Sequence, residues 1–301
     1  MNRTALKKRV IKSIPGWLFM LPTVLGICIF TIYPVSQSLY YSFYEYDIIS
    51  TFEFVGFDNY IEVFVDPEMG KVIGNTFFFA LINIPTCMVG SYLLALLLNV
   101  ETKGIKIFRV LYYLPSVVPA IVGGIIWSYL MRTNVESPGL FNQMLMALGF
   151  ERSLFFHAED LSALASIVLM NIFGLGGGTI TWLAQFKNIP KTLYEAAEID
   201  GAKTLSKFFY VTLPMSTPMI FYNLITQLIV TLQFNGTLTF APRGGRGNNN
   251  ATYTFGLKVY HEAFRRYDMG YASALAWVLT FMVGLINLLV FKTSKWVNYD
   301  V

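Results

Sequence analysis

The sequence predicts an all-α polytopic membrane protein with six transmembrane helices, and three observations carry that reading. Only 13% of the 301 residues are charged while 55% are hydrophobic, against about 25% charged in an ordinary soluble domain. Six stretches reach the ~20 mostly apolar residues that cross hydrocarbon. Lys and Arg are also spread unevenly over the segments that join those stretches. A soluble core stops growing at roughly 250–300 residues and cannot hide this much apolar side chain. A cytosolic enzyme domain, a disulfide-framed secreted module and a disordered tail are therefore excluded.

The spans fall at 17–43, 74–99, 108–131, 161–186, 214–236 and 271–293. They divide the chain into a 1–16 N-terminus, a 17–293 transmembrane domain and a 294–301 tail. The first span, from Trp17, is too long for a signal-peptide core and lacks a small-residue cleavage site, so it stays as a membrane helix. Pro22, Pro34, Pro85, Pro115, Pro119 and Pro218 lie in or beside the spans, where neighbouring helices and polar side chains satisfy the freed carbonyls. Cys28 and Cys87 sit in apolar runs and read as small hydrophobes. His157 and His261 lack ligand-like spacing, so no metal site is expected.

Placing both termini in the cytoplasm puts 14 of the 22 Lys+Arg inside and 13 of the 18 Asp+Glu outside. The N-terminus carries Arg3, Lys7, Lys8, Arg9 and Lys12 with no acid, whereas segment 44–73 carries seven acids and the single base Lys71. Segment 237–270 is the outlier, with Arg243, Arg246, Lys258, Arg265 and Arg266, but a long segment can cross despite its charge. It also holds the low-complexity patch from Gly244 to Asn250, read as a flexible extracytoplasmic turn.

The cytoplasmic segment 187–213 is the most specific part of the chain: Ile189-Pro190-Lys191-Thr192-Leu193-Tyr194-Glu195-Ala196-Ala197-Glu198-Ile199-Asp200-Gly201-Ala202, running on to Leu213-Pro214. Pro190 suits a helix start and Gly201 a left-handed stop, which predicts a short helix over 191–199 and a second over 202–210. Ala196, Ala197 and Ala202 offer a small surface for another protein, with Glu195 and Asp200 charged at its rim.

Glu-Ala-Ala, then Asp-Gly-Ala, then Leu-Pro resembles the EAA loop of permease subunits in binding-protein-dependent ABC importers. More narrowly the chain is similar to the carbohydrate-uptake branch, that of the maltose-transporter permease. Leu21-Pro22, Tyr33-Pro34, Val55-Gly56-Phe57-Asp58-Asn59-Tyr60, Asn75-Thr76, Tyr113-Leu114-Pro115 and Asp268-Met269-Gly270-Tyr271-Ala272-Ser273-Ala274 extend the likeness over nearly the whole chain. The resemblance implies a type I importer permease in a bacterial cell membrane. Glu195 to Gly201 would be its coupling helix, seated in one subunit of an ATP-binding cassette ATPase dimer. That partner would hold ATP and Mg, this chain no cofactor. A second, different permease chain and an extracytoplasmic solute-binding protein would complete the assembly. One departure stands out: where the family has a Thr-Gly-Gly-Gly-Pro-like turn, this chain has Ala241-Pro242-Arg243-Gly244-Gly245-Arg246-Gly247. The two arginines fit either an acidic oligosaccharide or a receptor contact.

Polar side chains within spans are costly and face a bundle or a wet cavity. Asn223, Gln227, Thr231 and Asn235 are spaced by four on one helical face, with Phe234 beside them. Amides, a hydroxyl and a ring suit a neutral sugar; the same groups also serve as glue between helices. In the fourth span, Asn171, Phe173, Gly174, Gly176, Gly177 and Gly178 fit close helix approach, a local break or room for a ligand, and the resemblance adds that this span and the fifth contribute to the sugar site.

No span holds an obvious buried Lys, Asp or Glu near the midplane, which argues against an ion-coupled carrier or a voltage sensor. No nucleotide-binding loop is present, so energy comes from a partner. No catalytic cluster appears at depth, so the chain is not read as an enzyme. The basic run Lys7-Lys8-Arg9 fits lipid headgroups rather than nucleic acid. The main reading is an ATP-driven sugar importer subunit. The alternatives are a permease of the same machinery for a non-sugar solute, or an ATPase-independent channel or carrier.

Overall fold

The computed structural model describes residues 3–49, 51–100, 102–239 and 241–297. Asn2, Glu101 and residues 298–301 of the expected tail lie outside the described residues. The chain forms two compact units: residues up to Val65 with Glu262–Trp277, and Asp66–His261 with the residues from Val278 onward.

In the first unit, α1 (Arg3–Ile27) runs through a π-helical turn, Cys28–Ile32, into α2 (Tyr33–Tyr41). The turn has a cause in the sequence. Pro34 has no N–H and crowds the carbonyl four residues back, and the widened turn, closed by Tyr33 N–H to Cys28 O, absorbs the mismatch. The following segment is not bare loop, because the alternation Tyr-Glu-Tyr and Phe-Glu-Phe folds as an antiparallel hairpin. Its strands are β1 (Tyr44–Tyr46) and β2 (Phe52–Phe54), with Tyr44 opposite Phe54 and Tyr46 opposite Phe52. Asp47 closes the turn, accepting from Ile49 N at 3.1 Å and Thr51 N at 2.8 Å. In the first turn of α3 (Asp58–Val65), the buried Asn59 amide donates to Ser42 O at 3.0 Å and Tyr44 O at 2.9 Å. Two motifs far apart in sequence meet here: a Cβ on Gly270 would lie 2.0 Å from Tyr44 O and 3.2 Å from Asn59 Nδ2.

The second unit is organised around α4 (Met69–Leu98), about 45 Å long at 1.5 Å per residue. Its buried positions Val72, Thr76, Phe79, Asn83, Tyr92 and Ala95 recur at helical spacing. Phe77, Leu81, Val89, Leu93 and Leu97 make an uncovered apolar stripe, as a helix facing lipid requires. Around it pack α8 (Ser162–Phe173), α9 (Gly176–Asn188) and α13 (Thr217–Leu232). The unit also contains α5 (Ile105–Val117), α6 (Ala120–Leu130), α7 (Leu140–Ala147), α10 (Lys191–Ile199), α11 (Thr204–Lys207), α12 (Leu213–Met215) and α14 (Phe255–His261). The last helix, α15 (Met269–Lys292), begins in the first unit and ends in the second.

Among the described residues, three helices are long and apolar enough to cross a membrane: Pro15–Tyr41, Met69–Leu98 and Met269–Lys292. The spans expected at 108–131, 161–186 and 214–236 are instead bent pairs, at 98°, 53° and 60°, each apolar enough taken together. Each bend has a local cause. Pro119 forces Val118 into extended backbone, ψ 128°. Gly174 and Leu175 interrupt the α8–α9 ladder. Ser216 lies between Pro214 and Pro218, and a second π-helical turn, Phe208–Thr212, precedes Pro214 as the first precedes Pro34.

Candidate functional site

The segment 187–213 folds as a projecting elbow. Ile189 is buried in a cluster with Tyr92, Leu98, Trp182 and Phe186, which anchors the start of α10. The helix stops as its residues dictate. Gly201 adopts φ +76°, its N–H reaches Glu198 O at 3.0 Å, and Ala202 N–H reaches Ala197 O at 2.8 Å. This paired closure needs a left-handed residue at that one position. Glu195, Ala196 and Asp200 are exposed, while Ala197 and Ala202 are half-buried. The second helix is shorter than expected over 202–210: α11 ends at Lys207 and the π-helical turn takes over. Beyond the expected set, the elbow displays Ile199, 87% exposed, and Leu205, 70% exposed. Glu198 bonds Lys207 at 2.5 Å and the Tyr194 hydroxyl meets Thr212 Oγ1 at 3.0 Å, tying the elbow together and to the helices behind it.

A cavity of about 400 Å³ opens where α4, α6, α8 and α13 converge. Of the residues expected to line a pathway, Phe173, Gly174, Gln227, Thr231 and Phe234 face it. Asn223 does not, because its amide bonds back to Met219 O at 2.9 Å. Asn235 falls beyond α13, which ends at Leu232, so the row of four is cut short by the helix end. Gly177 is a packing residue, its Cβ position 3.2 Å from Ser116 Cβ. The neighbouring glycines divide the readings the sequence left open. Gly174 lies at the break, and Gly176 lets α9 meet α5, where a Cβ would sit 1.8 Å from Tyr112 O.

Asn83 was not singled out by the sequence reading and is the hub of the cavity wall. Its Oδ1 accepts from Asn171 Nδ2 at 2.7 Å and its Nδ2 lies 3.4 Å from Thr231 Oγ1, so one side chain joins α4, α8 and α13. The signal was a lone amide in the apolar run before Pro85. Trp127 was also passed over. It meets Phe173 edge-on at 4.8 Å, and Phe79 meets Phe234 at 4.6 Å, so rings border the amides on two sides. Among the described residues Gln227 has no side-chain hydrogen-bond partner, and no Asp, Glu, Lys, Arg or His lines the cavity.

The Gly244–Asn250 patch, expected as a flexible turn, is instead locked in place. Gly245 and Gly247 take positive φ and a Cβ on either would strike Leu238 or Thr252. Asn75 Nδ2 donates to Asn250 O at 2.8 Å and Tyr253 O at 3.1 Å, and Thr76 Oγ1 accepts from Phe255 N at 2.8 Å. Arg246 pairs with Glu68 and stacks 4.2 Å over Tyr253, while the fully buried Lys258 lies 2.7 Å from Asp66 Oδ2. Arg246 is therefore a structural cation, whereas Arg243 is exposed at the loop tip.

Helices long and apolar enough to cross a membrane, further apolar helix pairs broken at bends, and in the second unit a cavity of amides and rings and an exposed helical elbow are the features of a multi-pass membrane transport subunit. Residues 70–298 match the family described as binding-protein-dependent transport system inner membrane component, and the chain belongs to that family. It is 35% identical over 296 residues to the probable ABC transporter permease protein YesP of Bacillus subtilis, covering 96% of this chain and 93% of that one. It is 28% identical to the lactose transport system permease protein LacF of Rhizobium radiobacter, covering 98% of both chains. It is 29% identical to the multiple sugar-binding transport system permease protein MsmF of Streptococcus mutans, covering 96% and 98%. A chain of a bacterial ABC transporter involved in the import of the acidic polysaccharide alginate superposes with a TM-score of 0.83 at 22% identity. The match covers 97% of this chain and 98% of that one, and shows a shared fold. Permease subunits of this family are not themselves enzymes.

Proposed function

We propose that this chain is one of two permease subunits of an ATP-driven importer and carries a neutral sugar or oligosaccharide received from an extracytoplasmic binding protein. The lactose and multiple-sugar permeases described above, similar along nearly their whole length, support the substrate class. The observation that carries it is the cavity wall: free and shared amides from Gln227, Asn83 and Asn171, the Thr231 hydroxyl and bordering rings, with no ionised side chain among the described lining residues. Sugar hydroxyls need such hydrogen bonds, and sugar C–H faces stack on rings. Arg246 is held by Glu68, which removes one of the two cations that an acidic sugar would have used.

In this reading α10 seats in a separate ATPase subunit, with Glu195, Ala196, Ala197, Asp200, Gly201 and Ala202 at the contact. ATP and Mg are held there and not in this chain. The second permease is a different chain, both termini are cytoplasmic, and the membrane is the bacterial plasma membrane. ATP-closed and open ATPase arrangements must favour different permease states, since a partner binding both equally shifts nothing. The decisive experiment is uptake by the complete transporter in vesicles against a panel of neutral disaccharides and hexuronate disaccharides. Accumulation of a neutral sugar that requires ATP and the binding protein is expected. Accumulation of only anionic sugars, or uptake without ATPase, overturns the reading.

A further inference from the structure

A line of hydrogen bonds joins the elbow to the bend at Ser216, and α13 runs from that bend to the cavity. Tyr194, on α10, meets Thr212 Oγ1 at 3.0 Å. Thr212 Oγ1 in turn faces Lys207 O at 3.5 Å, so the threonine proton points to that carbonyl and the tyrosine O–H donates to the threonine oxygen. Thr212 is the last residue of the π-helical turn Phe208–Thr212 and is buried. Its carbonyl accepts from Ser216 Oγ at 2.6 Å, and Ser216 Oγ accepts from the Tyr92 hydroxyl at 3.3 Å. Ser216 is fully buried at the 60° bend from which α13 departs, and α13 carries Gln227 and Thr231 to the cavity. Gln185 adds a brace, its Nε2 donating to Met215 O at 2.9 Å.

Placement decides which of these groups can carry a displacement. The Glu198–Lys207 pair joins two parts of the elbow itself and is solvent-exposed on the Glu198 side, so it moves with the elbow. Tyr194–Thr212 leaves α10 for the far end of the helical stretch Thr204–Met215, next to the bend into α13, whereas Glu198–Lys207 reaches only its first turn. A π-helical turn is a wide, marginally bonded stretch that repacks more readily than regular helix, and Thr212, which takes that bond, is its last residue, four positions before Ser216 at the bend. Building on the coupling reading above, we propose that Tyr194 and Thr212 are positioning residues: their hydrogen bond passes movement of α10 to the end of the π-helical turn and on through α12 and the Ser216 bend to α13, and so sets the shape of the cavity.

The test is a distance measurement in the complete transporter in lipid nanodiscs, on a Cys28→Ser, Cys87→Ala background. Spin labels are placed at Tyr222→Cys on the exposed side of α13 and at Leu97→Cys on the exposed side of α4. The α13–α4 distance is read with and without a non-hydrolysable ATP analogue, in variants first shown to co-purify with the ATPase. The parent is expected to shift on adding nucleotide. Tyr194→Phe and Thr212→Val are expected to shrink that shift roughly twofold or more, as loss of a coupling contact does, while Thr212→Ser, which keeps the hydroxyl, restores it. Parent-like shifts in Tyr194→Phe and Thr212→Val, with a flat response in Gly201→Val, overturn the tie alone. A parent-like shift in Gly201→Val as well removes the coupling reading and the tie with it. Equal losses in Thr212→Ser and Thr212→Val assign the effect to packing and also overturn the proposal.

Discussion

Lys258 and Asp66 form an ion pair at 2.7 Å with the lysine side chain wholly buried, 192 positions apart in a chain whose spans are almost free of charge. Glu68 lies 3.5 Å from the same ammonium and also holds Arg246. The four groups fasten the start of α4 to the glycine-rich loop and to α14.

Breaking that pair from one side leaves a buried charge without its partner, which costs about 3–5 kcal/mol. Lys258→Met is therefore expected to lower the thermal midpoint of the purified transporter sharply, and Asp66→Asn to lower it less, because Glu68 remains beside the lysine. Lys258→Met combined with Asp66→Leu is expected to recover part of the loss. Detergent-solubilised thermal unfolding followed by size-exclusion checks this, and an unchanged midpoint in Lys258→Met contradicts the assignment.

Gly176 is where α9 touches α5 most closely, with a Cβ position 1.8 Å from Tyr112 O. The contact is with backbone, so no side-chain rotation relieves it. Gly176→Ala is expected to destabilise by about 1–3 kcal/mol through overpacking. Gly74→Ala, on α4 with nothing within 4 Å of its Cβ position, is expected to be neutral or slightly stabilising. Paired unfolding curves of the two variants test the comparison.

Asn223 and Gln227 are one helical turn apart on α13 but differ in what their amides do. Gln227 faces the cavity without a partner, while Asn223 is already bonded to Met219 O. Removal of a substrate hydrogen bond from an uncharged amide costs about 0.5–1.5 kcal/mol. Gln227→Leu is thus expected to raise the half-saturation concentration for uptake several-fold, with Asn223→Leu close to the parent. Initial uptake rates over a range of sugar concentrations check this, and equal effects would remove the distinction.

Asp268 stands just before α15, where its Oδ1 accepts from Tyr271 N–H at 2.9 Å. Burial raises its carboxyl above the ordinary 3.8, against the lowering effect of that hydrogen bond. A carboxyl whose folded value is raised binds more protons folded than unfolded, so its contribution to stability falls as pH rises from about 3.8 through the folded value. Asp268→Asn keeps the cap and removes the buried charge, and is expected to match or exceed the parent at neutral pH with a flatter profile over the acid range. Asp268→Ala loses the cap and is expected to cost ~1 kcal/mol. Thermal midpoints measured from acid to neutral pH separate the two variants.

Much of the site was legible because it depends on local rules. Pro190 and Gly201 bound α10 where their backbone preferences place them, and the elbow between apolar spans followed from charge and length. Of the row Asn223, Gln227, Thr231 and Asn235 only Gln227 and Thr231 line the cavity, since Asn223 bonds back to Met219 O and helix length depends on what the following residues do. Asn235 begins the turn of Gly236–Thr239 instead of continuing α13. The alternation around Glu45 and Glu53 carried a strand signal that the apolar-span reading absorbed into a loop.

Composition, apolar run length and turn chemistry determined by themselves that this chain lives in a membrane and that a short capped helix stands between two spans. Each of these rests on a residue's own backbone geometry or on its transfer out of water, which neighbours far along the chain do not alter. Only the tertiary structure decided that Asn83 gathers three helices, that Arg246 and the buried Lys258 are consumed in ion pairs, and that Gly270 fits beneath Tyr44 and Asn59. Those outcomes depend on which side chains meet across separations of up to nearly two hundred residues, and a polar or small residue looks the same in sequence whether its partner is solvent, solute or another helix.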